Sequence, residues 1–507
     1  MKKTALIIMI ITLISKFLGF GRDIFLSYFF GASGISDAYL ISLTVPSVIF
    51  GFIGVGIATA YIPMQSRIIE DYGEESAFRF TSNFTNIILV IVTAILILGI
   101  CFTEQIVQLF AFGFSGKTLA TTVEFTKITI FGMYFSALIA IFSGYLQIKN
   151  NYYIPALIGF PLNIIVMISI YFAAQGSYII LAFGTLLATA SQFLLMLPFI
   201  IKEKFKYKLT VNFKDPKIIK TLYIALPVII GTSVNQVNTL VDRTIASSIA
   251  VGGISALNYA NKLNLFIQGL VVTSIITVMY PLISTFASKK NIDGIKKALV
   301  ESINIITILI LPMMTGSMIF SNQIVNLLFG RGAFDESAIK MTSIALFFYS
   351  IGMLGFGLRE VLSRGFYSLQ DTKTPMLNAA LGMVVNIILN ILLSRYIGIG
   401  GLALATSISA IFTTILLFIS LRKKIGPFGM KKISISFLKI LFASLVMGLF
   451  AKLSFNYLTS SLSQNLSLLI AIAVGAVSYF VIIYFMKIED VDVIVGAIKK
   501  KFGRGAA

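Results

Sequence analysis

The chain has 507 residues, of which 57% are hydrophobic and only 12% charged, with a mean hydropathy of +0.95. A soluble domain carries about 25% charged residues, so a soluble fold of this length could not cover its own surface. There is no histidine, no tryptophan and a single cysteine, Cys101, which excludes histidine acid–base chemistry, zinc sites and intrachain disulfides.

Apolar runs of about 20 residues recur along the chain, each long enough to cross a bilayer as a helix. They predict spans at 5–30, 36–64, 79–103, 120–147, 153–173, 179–201, 219–250, 254–286, 297–320, 338–367, 375–396, 400–421, 433–455 and 465–486. The expected fold class is therefore all-α integral membrane, with about fourteen helices. The first run starts basic but is too long for a signal peptide and has no cleavage site after it. Cys101 lies in an apolar run and reads as inert packing. The polar stretch 65–78 holds Glu70, Asp71, Glu74 and Glu75 and reads as a solvated surface loop.

Basic residues alternate across these spans. Lys2 and Lys3 precede the first. Lys202, Lys204, Lys206, Lys208, Lys214, Lys217 and Lys220 fill the loop after the sixth. Lys289, Lys290, Lys296 and Lys297 follow the eighth, and Arg422, Lys423, Lys424, Lys431 and Lys432 follow the twelfth. Lys499, Lys500, Lys501 and Arg504 end the chain. The intervening loops, such as 31–36, 174–177 and 456–465, are almost free of Lys and Arg. The positive-inside rule then places both termini in the cytosol. A formal charge of +20 would otherwise suggest nucleic acid; the alternation assigns it to topology, and no nucleic-acid partner is expected.

The chain also repeats itself at a spacing near 219. Asp23 and Gly34-Ile35-Ser36 recur as Asp242 and Gly253-Ile254-Ser255, and Pro63 as Pro281. Gln105-Ile106-Val107 recurs as Gln323-Ile324-Val325, Asn163-Ile164-Ile165 as Asn386-Ile387-Ile388, and Ala188-Thr189 as Ala405-Thr406. Each half holds six spans and starts from the same side, so the repeats are parallel, a common plan for transporters with a central cavity. The resulting division is an N-lobe over 1–201, a basic linker over 202–218 and a C-lobe over 219–421. Two added helices over 422–486 and a basic tail over 487–507 complete the chain.

Ionisable groups at membrane depth are costly and usually functional. Arg22 and Asp23 lie well inside the first span, flanked by Gly19 and Gly21, where a bend or break is expected. Lys262 lies at similar depth in the eighth span, Asp242 and Arg243 in the seventh, and Lys16 deeper in the first. Cations from both halves at one level suit an anionic guest. The competing reading is internal neutralisation, Arg22 by Asp23 or Asp37 and Arg243 by Asp242. Arg359, Glu360 and Arg364 occupy the inner half of the tenth span, where Arg364 could simply snorkel. A second group, Asp242, Asn386, Asn390 and Thr406, offers hard oxygens at one depth. That set suits sodium rather than a transition metal; interhelical hydrogen bonding is the alternative.

The segment Ser15-Lys16-Phe17-Leu18-Gly19-Phe20-Gly21-Arg22-Asp23, with Phe30-Gly31-Ala32 and Asp37-Ala38-Tyr39, resembles the opening of the MurJ/MviN lipid II flippases. Tyr259-Ala260-Asn261-Lys262-Leu263, Tyr280-Pro281 and 328–334 (LFGRGAF) extend the likeness, and 363–375 (SRGFYSLQDTKTP) is its most specific stretch. Gly401-Leu402-Ala403-Leu404-Ala405-Thr406-Ser407 completes it. The resemblance implies a two-lobed fold of the multidrug/oligosaccharidyl-lipid/polysaccharide exporter superfamily in the bacterial cytoplasmic membrane. It implies a monomeric, non-enzymatic carrier that moves lipid II, the undecaprenyl-diphosphate-linked peptidoglycan precursor, from inner to outer leaflet by alternating access. The family's cavity arginines match Arg22; with depth in the spans, this assigns the diphosphate to Arg22, Lys262 and Lys16, and cavity support and gating to Asp23, Asp37, Arg359, Glu360 and Arg364. It also implies sodium at Asp242, Asn386, Asn390 and Thr406, and a lipid-tail groove in the last two spans. The chain departs from the family at Asn261-Lys262, where Asp-Arg is common. It departs again at 46–51, where a cation common in relatives is missing. The alternatives are a flippase for another polyprenyl-linked glycan or a drug–cation antiporter of the same superfamily. An enzyme acting on the same lipid would need converging acids or a metal site, and no such cluster is evident.

Overall fold

A computed structural model describes residues 2–486; the basic tail expected over 487–507 lies outside the described residues. The described chain is a series of helices: α1 (Lys2–Phe30), α2 (Gly34–Cys101), α3 (Thr103–Phe110), α4 (Gly116–Thr129), α5 (Gly132–Ile148), α6 (Tyr153–Leu157), α7 (Gly159–Gln175), α8 (Ile179–Lys202) and α9 (Pro216–Ile249). Then follow α10 (Gly253–Ser288), α11 (Ile292–Ile319), α12 (Ser321–Phe329), α13 (Glu336–Ile351), α14 (Met353–Ser368), α15 (Lys373–Ile397), α16 (Ile399–Ile425), α17 (Met430–Leu458) and α18 (Gln464–Phe485). Among the described residues nine helices are long and apolar enough to cross a membrane, or eleven when two bent pairs are counted. At 68 residues α2 is about 100 Å long, more than twice what a bilayer needs. It therefore supplies the second and third spans. With the charge-bearing α1 and α9, the fourteen expected spans are accounted for.

Several local expectations are corrected. Residues 65–78 are helical rather than a loop: α2 runs through them and breaks only at Gly73, with φ 78° and ψ 175°. Their acids form exposed ion pairs, Arg67–Asp71 at 3.3 Å and Arg79–Glu75 at 2.9 Å. The helix α1 is not broken at Gly19 or Gly21 and is continuous to Phe30. The fourth and tenth spans are not single helices. The pair α4–α5 is bent by 41° and α13–α14 by 45°, near equivalent places in the two repeats. In the second pair the Ser407 hydroxyl donates to the Phe348 carbonyl at 2.6 Å, beside Gly352. A side chain from another helix thus inserts into the backbone ladder, an ordinary cause of a kink.

The chain divides into two compact units, one of Met1–Ser255 with Arg331–Ala338, the other of Ala256–Gly330 with the chain from Ile339 onward. In the first, Ile57, Tyr61, Phe80, Phe84, Ile141 and Tyr145 are core residues where α2, α5 and α8 meet. The helix α9, seventh by repeat count, packs on α2 in this unit. The repeat boundary follows the history of the segments and the compact unit follows packing, so the two divisions differ. In the second unit Ile283, Leu299, Ile306, Val361 and Phe366 form the core of α10, α11 and α14. The added helices α17 and α18 pair with each other, and Tyr479 of α18 donates to the Ile308 carbonyl of α11 at 2.6 Å.

The turn between α14 and α15 is fastened by Asp371. Its carboxylate accepts from Lys424 Nζ at 2.6 Å and from the Thr374 amide and hydroxyl at 3.0 and 2.8 Å. The Lys424 bond, then the Thr374 amide, holds this carboxyl down to about 2. A carboxyl depressed on folding stabilises the fold above its unfolded value of about 3.9, and that contribution is lost as pH falls towards its folded value. Asp371→Asn should therefore lower the thermal unfolding temperature in detergent by a constant amount above pH about 5, with the difference closing below pH about 4. An equal difference at pH 7 and pH 3 would show that the carboxylate charge is not what matters.

Candidate functional site

In the first unit α1 carries the buried charge. Arg22 donates to Asp23 Oδ1 from Nη2 at 2.8 Å and from Nε at 3.2 Å. Asp23 is buried and the Arg22 side chain is 24% exposed. Adjacent residues on a helix point about 100° apart, so only a long side chain folding back can close this pair. Of the two neutralising partners open to Arg22, the structure selects Asp23. The pair uses one edge of the guanidinium, which has five N–H donors in all. Lys16, two turns nearer the N-terminus, is exposed. Nearby, the buried Tyr39 hydroxyl lies 2.8 Å from Thr185 Oγ1.

Asp37 has a different task. It is fully buried and accepts from the backbone amides of Gly252 and Ser255, each at 2.7 Å, and from the Ser255 hydroxyl at 2.5 Å. These atoms are the start of α10, so Asp37 caps that helix from a distant part of the chain and its charge faces the positive end of the dipole. Ser255 Oγ also lies 2.9 Å from Ser36 Oγ, its counterpart 219 residues earlier. Arg243 Nη1 donates to the Ile254 carbonyl at 3.2 Å.

Two further contacts repeat at the same spacing. The Ala333 amide donates to the Tyr28 carbonyl at 2.8 Å, with Gly332 against Tyr28. The Gly113 amide donates to Ser247 Oγ at 3.0 Å, with Gly113 against Ser247. Tyr28 and Ser247 are 219 apart, as are Gly113 and Gly332. A Cβ on either glycine would collide with the facing backbone. Each repeat thus lends a loop to the end of the other's first helix. Sequence reading missed Ser255, Tyr28 and Ser247; the signal was the duplicated Gly-Ile-Ser, which places Ser36 and Ser255 in register.

In the second unit Lys262 is half-buried on α10. On α14, Arg364 lies 4.0 Å from Glu360 and over the rings of Tyr280 and Tyr367 at 5.7 and 5.8 Å. Arg359 sits over the Phe356 ring at 5.4 Å. Arg364 thus lies over aromatic faces, a cation–π arrangement, with its side chain still 40% exposed. Asn390 Nδ2 donates to Asn386 Oδ1 at 2.8 Å, Asn386 Nδ2 to Thr406 Oγ1 at 3.3 Å, and Thr406 Oγ1 to the Leu402 carbonyl at 2.9 Å. Both asparagines are buried. Three of the four oxygen-bearing residues therefore converge, and their oxygens are of the kind that suits a hard cation. Each asparagine donates to the next oxygen, so an ion would have to compete with these bonds. Asp242 belongs to the first unit, where Asn238 Nδ2 lies 3.4 Å from its Oδ2. No group of three or more His, Cys, Asp or Glu arranged to hold a metal occurs among the described residues.

The chain as a whole is similar to known proteins. A proteobacterial relative named probable lipid II flippase MurJ, from Vibrio cholerae, is 29% identical over 429 residues, 82% of each chain. One so named from Thermotoga maritima is 29% identical over 482 residues, covering 95% of this chain and 96% of that one. A solved structure titled lipid II flippase MurJ, inward closed conformation, superposes with a TM-score of 0.82 at 29% identity, covering 95% of this chain and 98% of the other. An inward-facing multidrug resistance transporter of the MATE family superposes with a TM-score of 0.68 at 15% identity, covering 81% of this chain and 94% of that one, a likeness of fold alone. The profile described as lipid II flippase MurJ matches residues 26–474, nearly the whole helical chain, and the chain belongs to the lipid II flippase MurJ family.

Proposed function

We propose that this chain carries lipid II from the inner to the outer leaflet of the bacterial cytoplasmic membrane, and that Arg22, Lys262 and Lys16 hold its diphosphate. The observation that carries the function is the family match over residues 26–474. The cargo's charge sits on the group that must cross the apolar core, and left bare it would set the barrier to flipping. The half-buried Arg22 and Lys262, with the exposed Lys16, substitute for its water and counterions. Asp23 holds the Arg22 guanidinium in place through two hydrogen bonds, so Asp23 is a positioning residue. The chain is read as a carrier that breaks no bond of its cargo and works as a monomer. The exposed apolar faces of α17 and α18 would take the polyprenyl tail. Growth of a cell whose own flippase is depleted tests the reading: this chain must restore it, and failure at normal membrane expression would reject it.

The two repeats act as an N-lobe and a C-lobe in alternating access. The Asp37–Ser255 cap with its paired loop contacts would lock one side, and Arg359, Glu360 and Arg364 would act at the other. The alternating basic loops support a topology with both termini in the cytosol. Cysteines placed singly at Ser177 and Lys206, on a Cys101→Ser background, should label from opposite faces of the membrane. Labelling of both from outside would overturn that orientation.

Asn386, Asn390 and Thr406 would bind sodium, and their depth in the sequence supports Asp242 as the fourth member and the one formal negative charge. The bound ion would supply a positive charge that favours one conformation over another. Asp242→Asn should abolish any sodium-dependent protection from proteolysis or heat. A wild-type sodium response in that variant would leave the cluster as helix packing.

A further inference from the structure

The segment between α8 and α9, residues 203–215, carries neither helix nor β-ladder, yet it is fixed in place. Phe205 plugs its start into an aromatic cluster, with ring centroids 5.6, 5.4 and 5.3 Å from Phe78, Phe142 and Tyr145. From there the backbone runs along α2. The Lys208 amide donates to Ser82 Oγ at 3.1 Å, and Asn86 Nδ2 donates to the carbonyls of Lys208 and Thr210 at 3.3 and 2.9 Å. Asn83 bonds Asn212 in both directions, at 3.1 and 2.7 Å, and the Tyr207 hydroxyl donates to Asn86 Oδ1 at 2.6 Å. Lys208 Nζ pairs with Glu75 at 3.1 Å. Asp215 then caps the start of α9 through the Lys217 amide at 2.9 Å.

With the backbone of 208, 210 and 212 fastened to α2, the four large apolar side chains of the segment remain exposed, together with Thr210 and Asn212; of the four, Tyr207 turns its hydroxyl back to α2 and leaves its ring outside. Leu209 is 84% exposed, Tyr207 54%, Phe213 51% and Val211 49%. Four large apolar side chains in seven residues is a high density to leave in water. Lys204, Lys206 and Lys214 are exposed beside them, and no acid pairs with any of the three among the described residues. The strap lies where α2 passes from the polar run Arg79–Asn86 into the apolar run Ile87–Ile100, which is where a spanning helix meets headgroups.

We propose that this strap is a docking surface for anionic phospholipid, with Tyr207, Leu209, Val211 and Phe213 seated at the headgroup–acyl boundary and Lys204, Lys206 and Lys214 on lipid phosphates. Apolar side chains interleaved with lysines at the interfacial level are what such a surface recognises. A neutral bilayer would satisfy only the apolar half, and a water-filled surface neither. Because the strap leads directly into the cap of α9, docking would also fix where that helix begins. The inference needs the chain to span a membrane but not the proposed orientation.

The test uses the full chain in proteoliposomes, with Cys101→Ser and a single fluorescent cysteine at Leu209 or, for comparison, at the exposed Glu70. Nitroxide-labelled phospholipid in both leaflets should quench the Leu209 probe strongly and the Glu70 probe weakly, and iodide in water should do the reverse. Added phosphatidylglycerol should increase quenching at Leu209. Lys206→Gln and Lys214→Gln should each raise the phosphatidylglycerol fraction needed for half-maximal quenching roughly five-fold, and salt should mimic them. Equal lipid quenching at the two probes, or iodide access to Leu209 as free as to Glu70, would overturn the proposal and leave a protein partner as the occupant. Quenching at Leu209 that ignores phosphatidylglycerol and both lysine changes would overturn the anionic specificity.

Discussion

A chain in which Arg22 and Asp23 are replaced together by glutamine and asparagine should fold, reach the membrane at normal levels and fail to support growth as the only lipid II flippase. The double change matters because the single one is ambiguous. Arg22→Ala would strand a buried carboxylate, which typically costs about 3–5 kcal/mol, and a loss of growth could then reflect a loss of protein. The neutral pair leaves no unpaired buried charge while removing the cation proposed to face the diphosphate. At Lys262, Lys262→Arg should be tolerated, because it keeps the charge and adds donors, whereas Lys262→Glu should not, because it repels the guest. Complementation alongside membrane expression reads all of these. Normal growth of both the neutral double variant and Lys262→Glu would remove the anion-site assignment.

Asp37→Ala should produce the largest structural effect of any single change outside the cores. It strips the cap from α10 and leaves the amides of Gly252 and Ser255 buried without an acceptor, at about 1–3 kcal/mol for each. Asp37→Asn keeps one acceptor oxygen and should fall between the two. Thermal unfolding in detergent should rank wild type above Asp37→Asn above Asp37→Ala. An Asp37→Ala protein with wild-type unfolding would reduce the contact to a bystander.

Much of this fold is legible in the sequence because spanning helices are written in long apolar runs that no soluble element resembles. The repeat was readable for a related reason: Gly34-Ile35-Ser36 and Gly253-Ile254-Ser255 kept their identity since the two serines meet at the same contact. Residues whose meaning depends on a distant partner were harder. Asp37 looked like a counter-ion for Arg22, and nothing local reveals that its partner is the start of α10, some 215 residues away. The 45° bend at Gly352 depends on Ser407, and glycine in an apolar run does not announce a kink. The helical character of 65–78, broken only at Gly73, was hidden by its charges, which suit a solvated helix as well as a loop. The spacing of Ser82, Asn83 and Asn86 on one helical face was the available sign that a polar strap lies there.

The central claim is that this chain brings lipid II to the outer leaflet and that the Arg22 cation is needed to do so. The direct measurement is the fraction of lipid II open to an enzyme added outside cells that depend on this chain alone. Depleting the chain, or exchanging it for the neutral double variant at Arg22 and Asp23, should lower that fraction sharply while total lipid II rises. An outer-leaflet fraction that holds steady through depletion would contradict the account.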